Sequence, residues 1–296
     1  MAKIKKIIKK IIPSSLLRNY NKFNSLNQRI TLIEDQIRNK WILEKLGKID
    51  DQKLVFKLNE FKIFSQTGED GIINYIFSKI GVKNKTFIEF GIQDGRECNT
   101  ANLSLNFGWK GLLIEGDANF AEKAKKYYSG KPVKVINSFI TKDNINKIFL
   151  DNEMKGEIDL LVVDIDGNDY WVWKEINTIK PRVVVIEYNS AFGDKPITIK
   201  YKPDFERLRS HKSGLYFGAS LPALAKLGKE KGYILAGCCS SGFNAFFIRK
   251  DIAKSKFSEM APEKVFYEDE GNAKKFGDLN NQFNKIKNLG FERIEE

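Results

Sequence analysis

Acidic residues stand at the ends of four segments of this chain that have the pattern of buried β-strands. Glu89 lies in the first segment and Glu115 ends the second, while residues 164–169 (DIDGND) follow the fourth and Glu187 ends the fifth. Ligands of doubly wound α/β sheets bind outside the carboxyl ends of the strands. We therefore expect these carboxylates to face one crevice, where they could accept hydrogen bonds from hydroxyls, take up a proton or hold a metal ion.

The first of these strand ends is followed by a glycine turn. Residues 86–100 (TFIEFGIQDGRECNT) have the pattern of a strand, a turn and the beginning of a helix, with Gly91 and Gly95 four positions apart. Glycine lets the backbone approach a ligand closely, but this spacing differs from the Gly-x-Gly-x-x-Gly pattern of dinucleotide folds. It favours a ligand without a pyrophosphate, such as S-adenosylmethionine, and Glu89 would repel phosphate. A purely structural turn is the alternative interpretation.

The elements around this turn alternate between strands and helices from residue 50 onward. The predicted strands of the alternating part are 86–91, 111–115, 133–137, 158–164 and 182–187. The predicted helices of the same part are 98–106, 118–128, 143–152 and 169–176. Continuous apolar strands of this kind are typical of a parallel sheet that is covered on both faces.

The chain then changes its pattern. A helix predicted over 219–231 precedes two strand-like segments, 233–237 and 244–249, whose connection is too short for parallel neighbours. We therefore predict an α/β fold with a doubly wound, mostly parallel seven-stranded sheet that ends in an antiparallel hairpin. Such a hairpin is characteristic of the Rossmann-like methyltransferase sheet.

The positive charge of the chain is concentrated at its N-terminus. Of a net charge of +12, residues 1–48 contribute +9 through twelve basic and three acidic residues, which leaves +3 for the remainder. This distribution gives no reason to expect nucleic-acid binding by the large domain. No apolar run reaches the roughly 18 residues of a membrane span, no signal peptide is recognisable, and the three cysteines form a poor disulfide framework. We expect a cytoplasmic protein.

Three domains are predicted. Residues 1–48 would form a helical arm, 49–255 the catalytic domain and 256–296 a C-terminal helical tail. Within the arm, the isoleucines and lysines of 1–12 predict a basic amphipathic helix that binds the inner face of a membrane, although a solvated tail is an alternative. The apolar spacing of 24–46 predicts a helix that joins copies of the chain or packs on its own domain.

The residues at the strand ends resemble those of a known family. The order TFIEFGIQDG, LLIEGD, LLVVDIDGNDYWVW, VVVIEYN and NAFFIR is similar to class I S-adenosylmethionine-dependent methyltransferases, especially the FkbM-type branch and its bacterial polysaccharide-associated relatives. The similarity covers about residues 60–250. It implies the same fold, S-adenosylmethionine as cofactor, and a cofactor site of ten residues. These are Gln66, Glu89, Gly91, Gln93, Asp94, Gly95, Glu115, Asn137, Ser138 and Asp164.

The resemblance assigns roles to several members of this set. The glycine turn would wrap the methionine part of the cofactor, and Glu115 would hold both ribose hydroxyls. Asn137 and Ser138 would lie beside the adenine, and Asp164 near the transferred methyl group. Gln66 would close one side of the pocket. Gln93 and Asp94 depart from the family pattern, which has small residues there.

The catalytic step needs a group that manages the proton of the acceptor. Asp164, Asp166 and His211 are the candidates, His211 being the single histidine of the chain. Some methyltransferases instead hold Mg²⁺ at these strand ends, and Asp164, Glu187 and Asn189 would offer the oxygen ligands that Mg²⁺ prefers. A bound metal would lower the pKa of an acceptor hydroxyl.

These features predict an O-methyltransferase that acts on a hydroxyl of a sugar, a nucleotide sugar or a glycan intermediate. The basic segment 194–212 would suit an anionic acceptor, although a solvated loop explains it equally simply. One alternative is a metal-dependent glycosyltransferase that uses Asp164-Ile165-Asp166 as an Asp-x-Asp motif. Another is a membrane-associated scaffold without enzymatic activity, which would leave the strand-end carboxylates without a purpose.

Overall fold

The computed structural model describes residues 34, 37–39, 42 and 50–295. The chain divides into two compact units, Met1–Ile49 and Asp50–Glu296. In the first unit the described residues are α-helical, whereas the predicted amphipathic helix over 1–12 lies outside the described residues. In the part of the chain that the structure describes, no helix is both long and apolar enough to cross a membrane.

The second unit is built on a seven-stranded sheet with the order β3-β2-β1-β4-β5-β8-β7. Its strands are β1 (Thr86–Phe90), β2 (Lys110–Glu115), β3 (Val133–Asn137), β4 (Gly156–Val163), β5 (Ile179–Glu187), β7 (Tyr233–Cys238) and β8 (Asn244–Arg249). The first five strands pair in parallel, and β8 is antiparallel to both β5 and β7. This topology confirms the predicted doubly wound sheet with its terminal hairpin, which is the Rossmann-like methyltransferase fold.

A small second sheet joins two segments that are distant in sequence. Its strands are β6 (Ile197–Ile199) and β9 (Phe291–Arg293), which pair antiparallel. The sequence gives no sign of this sheet because strands of three residues have no readable periodicity. Through this pairing the predicted C-terminal tail, which also carries helices, is attached beyond the carboxyl end of β5.

Helices cover both faces of the large sheet. They are α1 (Gln52–Leu58), α2 (Glu69–Ile80), α3 (Ala101–Phe107), α4 (Ala118–Tyr127), α5 (Ile145–Asp151), α6 (Asp169–Glu175), α7 (Arg207–Ser210), α8 (Leu221–Glu230), α9 (Lys250–Ala253), α10 (Pro262–Val265), α11 (Glu270–Phe276) and α12 (Leu279–Asn284). A 3₁₀ helix spans Ser190–Phe192. Successive strand residues point to opposite faces, so Leu160 and Leu161 of β4 belong to different apolar cores.

A buried ion pair fixes the amino-terminal edge of the sheet. Asp159 of β4 is fully buried and accepts a hydrogen bond of 2.7 Å from Arg182 of β5. Its carboxylate also accepts the backbone N–H groups of residues 83–85 at 2.7 to 3.2 Å. Arg182 in turn donates to the carbonyl oxygens of Ile80 and Gly81. Together these bonds hold the connection from α2 into β1 and therefore the starting position of β1.

We expect Asp159→Asn to destabilise the protein by about 3–5 kcal/mol, because it leaves the buried Arg182 without a counter-charge. Urea denaturation measures the loss. Asp151→Asn is the matched control, since Asp151 forms an ion pair with Lys147 in which both side chains are more than half exposed, and an exposed pair contributes at most about 1 kcal/mol. Equal losses in the two variants would contradict this account.

Candidate functional site

Gly91 joins the carboxyl ends of three strands. It follows β1 with φ +67°, and its N–H donates to the carbonyl oxygen of Ile114 in β2 at 3.0 Å. A Cβ atom at this position would lie 1.8 Å from the backbone oxygen of Asp164, which follows β4. Only glycine permits this contact, so the close approach of the chain after β4 by itself requires glycine at position 91.

Glu89 is turned away from the crevice and holds the end of the glycine turn. Its buried carboxylate accepts hydrogen bonds from Asn99 N and Thr100 N at 2.8 and 2.9 Å, and from Thr100 Oγ1 at 2.5 Å. Burial raises its pKa to about 7, although these hydrogen bonds oppose the rise. The structure thus gives Glu89 a positioning role for residues 91–100 and does not bring its side chain into either cavity described below.

Asp94 and Gly95 also belong to the support of the turn. Tyr128 Oη donates to the carbonyl oxygen of Gly95 at 2.8 Å, and a Cβ atom at position 95 would lie 2.7 Å from the Tyr128 ring. The Asp94 carboxylate accepts the N–H of Arg96. Both predicted cofactor residues therefore support the turn, and neither lines either of the two cavities described below.

A first cavity of about 390 Å³ opens beyond β1, β2 and β3. Glu115 lies in its wall, and its carboxylate accepts Gln93 N at 2.7 Å and Asp117 N at 2.8 Å. These bonds fix the carboxylate between the glycine turn and the beginning of α4. Gln93 itself adopts φ +48°, a left-handed conformation that is unusual for a residue with a side chain.

Apolar side chains form the other walls of the first cavity. They include Phe120, Phe139 and Ile140, and the two phenylalanines remain 37% and 51% exposed. Exposed rings beside a cavity can stack on a flat heterocycle. The sequence interpretation named neither ring, although Phe139 directly follows the predicted Ser138, which does line the cavity. Asn137 instead donates to the carbonyl oxygens of Glu115 and Gly116, so it holds the cavity wall from outside.

A second cavity of about 320 Å³ adjoins the first and is predominantly polar. Gly91, Gln93, Asp164 and Asp166 line both cavities. The second cavity also has walls from Gln66, Glu187, Asn189, Arg207, Asp269 and Asn272. Four of its lining residues carry carboxyl groups and one carries a guanidinium, so acidic groups outnumber bases in this cavity.

Acidic groups lie close together in the second cavity. Burial and repulsion from neighbouring carboxylates raise the pKa of Asp164 and of Glu187 well above the ordinary range, while Arg207 partly opposes the rise. Oxygen atoms of Asp164, Asp166 and Glu187 all lie within 4.8 Å of one another. Glu187 Oε2 is buried and has no hydrogen-bond partner among the described residues. This oxygen can accept a proton, a substrate hydroxyl or a cation.

Arg207 of α7 lies between these carboxylates. Its guanidinium pairs with Asp166, and Nη1 is 3.8 Å from Glu187 Oε1. Its Nε donates to the carbonyl oxygen of Gly214 at 2.8 Å, and the guanidinium stacks on the Phe217 ring at 3.6 Å. In the sequence this residue was only one base within the segment 194–212. Its role depends on the fold, which brings α7 over the carboxyl ends of β4 and β5.

Two predicted residues are placed differently from the expectation. The Asn189 amide donates to the carbonyl oxygens of Leu215 and Phe217, and its oxygen accepts Ala191 N at the start of the 3₁₀ helix. Asp166 lies with Asp164 and Glu187 in a group of three close carboxylates, and Asn189 lines the same cavity. His211 directly follows α7 with Nδ1 2.7 Å from Ser213 Oγ, and the structure does not bring it into either cavity.

Gln66 reaches the second cavity because buried acids hold its loop. Asp70 Oδ2 accepts the N–H groups of Ile63, Phe64 and Ser65 at 2.7 to 2.8 Å. The neighbouring Glu69 accepts Thr67 N and Gly68 N. The pattern Ser65–Asp70 thus builds a loop that presents Gln66, and the acids themselves remain inside the protein.

No protein-family model matches the chain, and no curated protein matches it. Among solved structures, the N-terminal domain of EvdMO1 with S-adenosylhomocysteine bound is 12% identical over 73% of this chain and 94% of that chain, with a TM-score of 0.40. A SAM-dependent methyltransferase from Aquifex aeolicus is 14% identical over 60% and 89%, with a TM-score of 0.36.

A putative O-methyltransferase from Klebsiella pneumoniae is a further structural neighbour. It is 14% identical over 71% of this chain and 94% of that chain, with a TM-score of 0.39. The identities and TM-scores of all three neighbours are low. The strand order and strand directions of the chain itself define its fold.

We expect Glu187→Gln to stabilise the folded protein at neutral pH. The folded state raises the pKa of Glu187, so the stability linked to its proton is present below the unfolded-state pKa and is lost as pH rises through the folded-state pKa. Glutamine keeps the shape and removes the charge. The melting temperature should rise by about 2–4 °C at neutral pH, which corresponds to ~1 kcal/mol in a protein of this size.

This gain should vanish in acid, where Glu187 is protonated in both states. Thermal unfolding of both proteins across the pH range measures the effect. Glu263→Gln, at an exposed position of α10, serves as control and should leave the melting temperature unchanged. A loss of stability at neutral pH in Glu187→Gln would show that its ion pair with Arg207 outweighs the buried repulsion.

Proposed function

We propose that the protein is an S-adenosylmethionine-dependent O-methyltransferase. The observation that supports this most directly is the placement of Glu115. It ends β2, is oriented by the N–H groups of Gln93 and Asp117, and faces a cavity with aromatic walls. A carboxylate there can accept hydrogen bonds from both ribose hydroxyls of the cofactor. Phe120 and Phe139 would hold the adenine, while Gly91 and Gln93 would guide the methionine part toward the second cavity.

The acceptor would enter the second cavity. Its hydroxyl oxygen would attack the sulfonium methyl group, the C–S bond would break, and S-adenosylhomocysteine would leave as the thioether. The hydroxyl proton would pass to Asp164 or Glu187, whose raised pKa values make each carboxylate a stronger base than an ordinary one. Alignment of oxygen, carbon and sulfur would supply much of the rate. Arg207 would keep Asp166 and Glu187 in place.

The same carboxylates fit a divalent cation. Asp164, Asp166 and Glu187 offer three oxygen ligands within 4.8 Å of one another, and Glu187 Oε2 has no hydrogen-bond partner among the residues that the structure describes. Oxygen ligands of this kind suit Mg²⁺. Such an ion would act as a Lewis acid that lowers the pKa of the acceptor hydroxyl. We propose this ligand group in place of the predicted combination with Asn189, whose amide is bonded to the main chain.

The acceptor that we propose is a hydroxyl of a sugar, a nucleotide sugar or a glycan intermediate, as the FkbM-type sequence pattern suggests. Residues 1–12 would allow contact with a membrane surface, and residues 24–46 would allow copies of the chain to associate with one another. A glycosyltransferase remains the second candidate because Asp164 and Asp166 lie together beside a cavity. That candidate would use the first cavity for a nucleoside diphosphate.

Isothermal calorimetry with S-adenosylhomocysteine and with UDP-glucose distinguishes the two functions. We expect S-adenosylhomocysteine to bind and UDP-glucose to show no heat. Glu115→Gln should weaken S-adenosylhomocysteine about 10-fold or more, because a hydrogen bond to a charged group contributes ~1.5–3 kcal/mol. Glu122→Gln, on the exposed face of α4, should bind like the wild type. Binding of UDP-glucose alone would overturn the methyltransferase proposal.

A further inference from the structure

The C-terminal segment 266–293 is a wall of the second cavity. Tyr188, directly after β5, donates its hydroxyl to the carbonyl oxygen of Tyr267 at 2.8 Å. The N–H of Asp269 donates to Ser190 Oγ at 3.1 Å. The pairing of β9 with β6 holds the far end of the segment. The segment predicted as a tail is therefore bonded to the same edge of the sheet that carries Glu187.

A close backbone contact fixes this wall from the other side. Gly242 lies in the turn between β7 and β8 with φ +81°, and a Cβ atom there would lie 2.6 Å from Asp269 N. The turn and the segment thus touch along their main chains, with no room for a side chain between them. Side chains that reach the cavity from Asp269 and Asn272 are consequently held on a rigid support.

Asp269 presents an unpaired carboxylate oxygen on this support. The residue is 9% exposed, and its Oδ1 accepts Gly271 N at 2.7 Å and Asn272 N at 3.2 Å at the start of α11. No described residue contacts its Oδ2 by a hydrogen bond or an ion pair. The side-chain amide of Asn272 likewise has no partner within residues 50–295, and both side chains line the second cavity. Both groups remain accessible to solvent, so a ligand that enters the cavity can take the place of water at these atoms.

The charge of the cavity selects the chemistry of that ligand. Asp164, Asp166, Glu187 and Asp269 face it, and Arg207 is already paired with Asp166. The other bases of the segment 194–212 do not line the cavity, so they give an anionic acceptor no partner there. A phosphate or carboxylate group finds no unpaired base among the lining residues, whereas a hydroxyl group can donate to a carboxylate and accept from a protonated carboxyl group.

We propose that Asp269 and Asn272 bind the non-reacting hydroxyls of the acceptor and select a sugar that carries hydroxyls and no anionic group. This inference rests on the proposed methyltransferase function and narrows its acceptor class. Asp269 accepts hydrogen bonds through Oδ2, and Asn272 both donates and accepts. The two residues are specificity-determining, while Asp164 and Glu187 manage the proton.

The test uses the full chain with S-[methyl-³H]adenosylmethionine and three groups of acceptors: neutral methyl hexosides, hexose phosphates and uronic acids. We expect transfer to members of the neutral group only. Asp269→Asn keeps the helix cap and replaces the charged oxygen, so KM for the neutral sugar should rise about tenfold at unchanged kcat, the effect of ~1.4 kcal/mol of lost binding. Affinity for S-adenosylhomocysteine should not change.

Asp278→Asn is the matched control. Asp278 caps α12 by accepting Asn281 N at 2.8 Å, as Asp269 caps α11, but it does not line the cavity. It should leave KM unchanged. Transfer to hexose phosphates or uronic acids, transfer to no member of the three groups, or an unchanged KM in Asp269→Asn would overturn the inference. Failure of S-adenosylhomocysteine to bind in calorimetry would instead overturn the proposed function itself.

Discussion

The contact between Gly91 and the backbone of Asp164 is the constraint on which both cavities depend. With a Cβ atom only 1.8 Å from the Asp164 oxygen, any other residue would push β1 and β4 apart at their carboxyl ends. Gly91 and Asp164 line both cavities. Their contact therefore sets the distance between the first cavity and the second. A transfer reaction between two ligands needs this distance to be fixed, since a misplacement of about 1 Å can cost 100-fold in rate.

The close approach of the carboxyl groups is the second constraint, and it opposes stability. Asp164 and Glu187 lie close together in a site where burial and mutual repulsion disfavour ionisation. Arg207 offsets part of this cost, and its position on the Phe217 ring explains why it remains beside the carboxylates. Carboxylates with raised pKa values are common where a protein must accept a proton near neutral pH. The instability of this cluster is therefore consistent with a catalytic task.

The sheet was predictable because its strands are continuous apolar runs, and the hairpin was predictable because the link from β7 to β8 is short. Glu115 and Asp164 could be located since each directly ends or follows such a run. The position of Glu89 at the end of β1 was predictable, but the direction of its side chain was not. The N–H groups of Asn99 and Thr100 turn its carboxylate inward. Arg207 and Asp269 carry no local signal. They reach the site through α7 and through the β6–β9 pairing, which only the folded chain reveals.

Local charge, not net charge, decides which acceptor fits. The chain carries +12, but most of this charge belongs to residues 1–48, and the basic segment 194–212 contributes only Arg207 to the second cavity. The remaining bases of that segment lie outside the cavity, some beside exposed acids such as Asp204 and Glu206. In a cavity with low-dielectric walls, nearby carboxylates outweigh distant lysines that water and salt screen. The basic residues of segment 194–212 suggest an anionic acceptor when the sequence is considered alone. In the folded chain, the segment instead provides Arg207, which pairs with Asp166 and helps to hold together a cavity that favours hydroxyl donors.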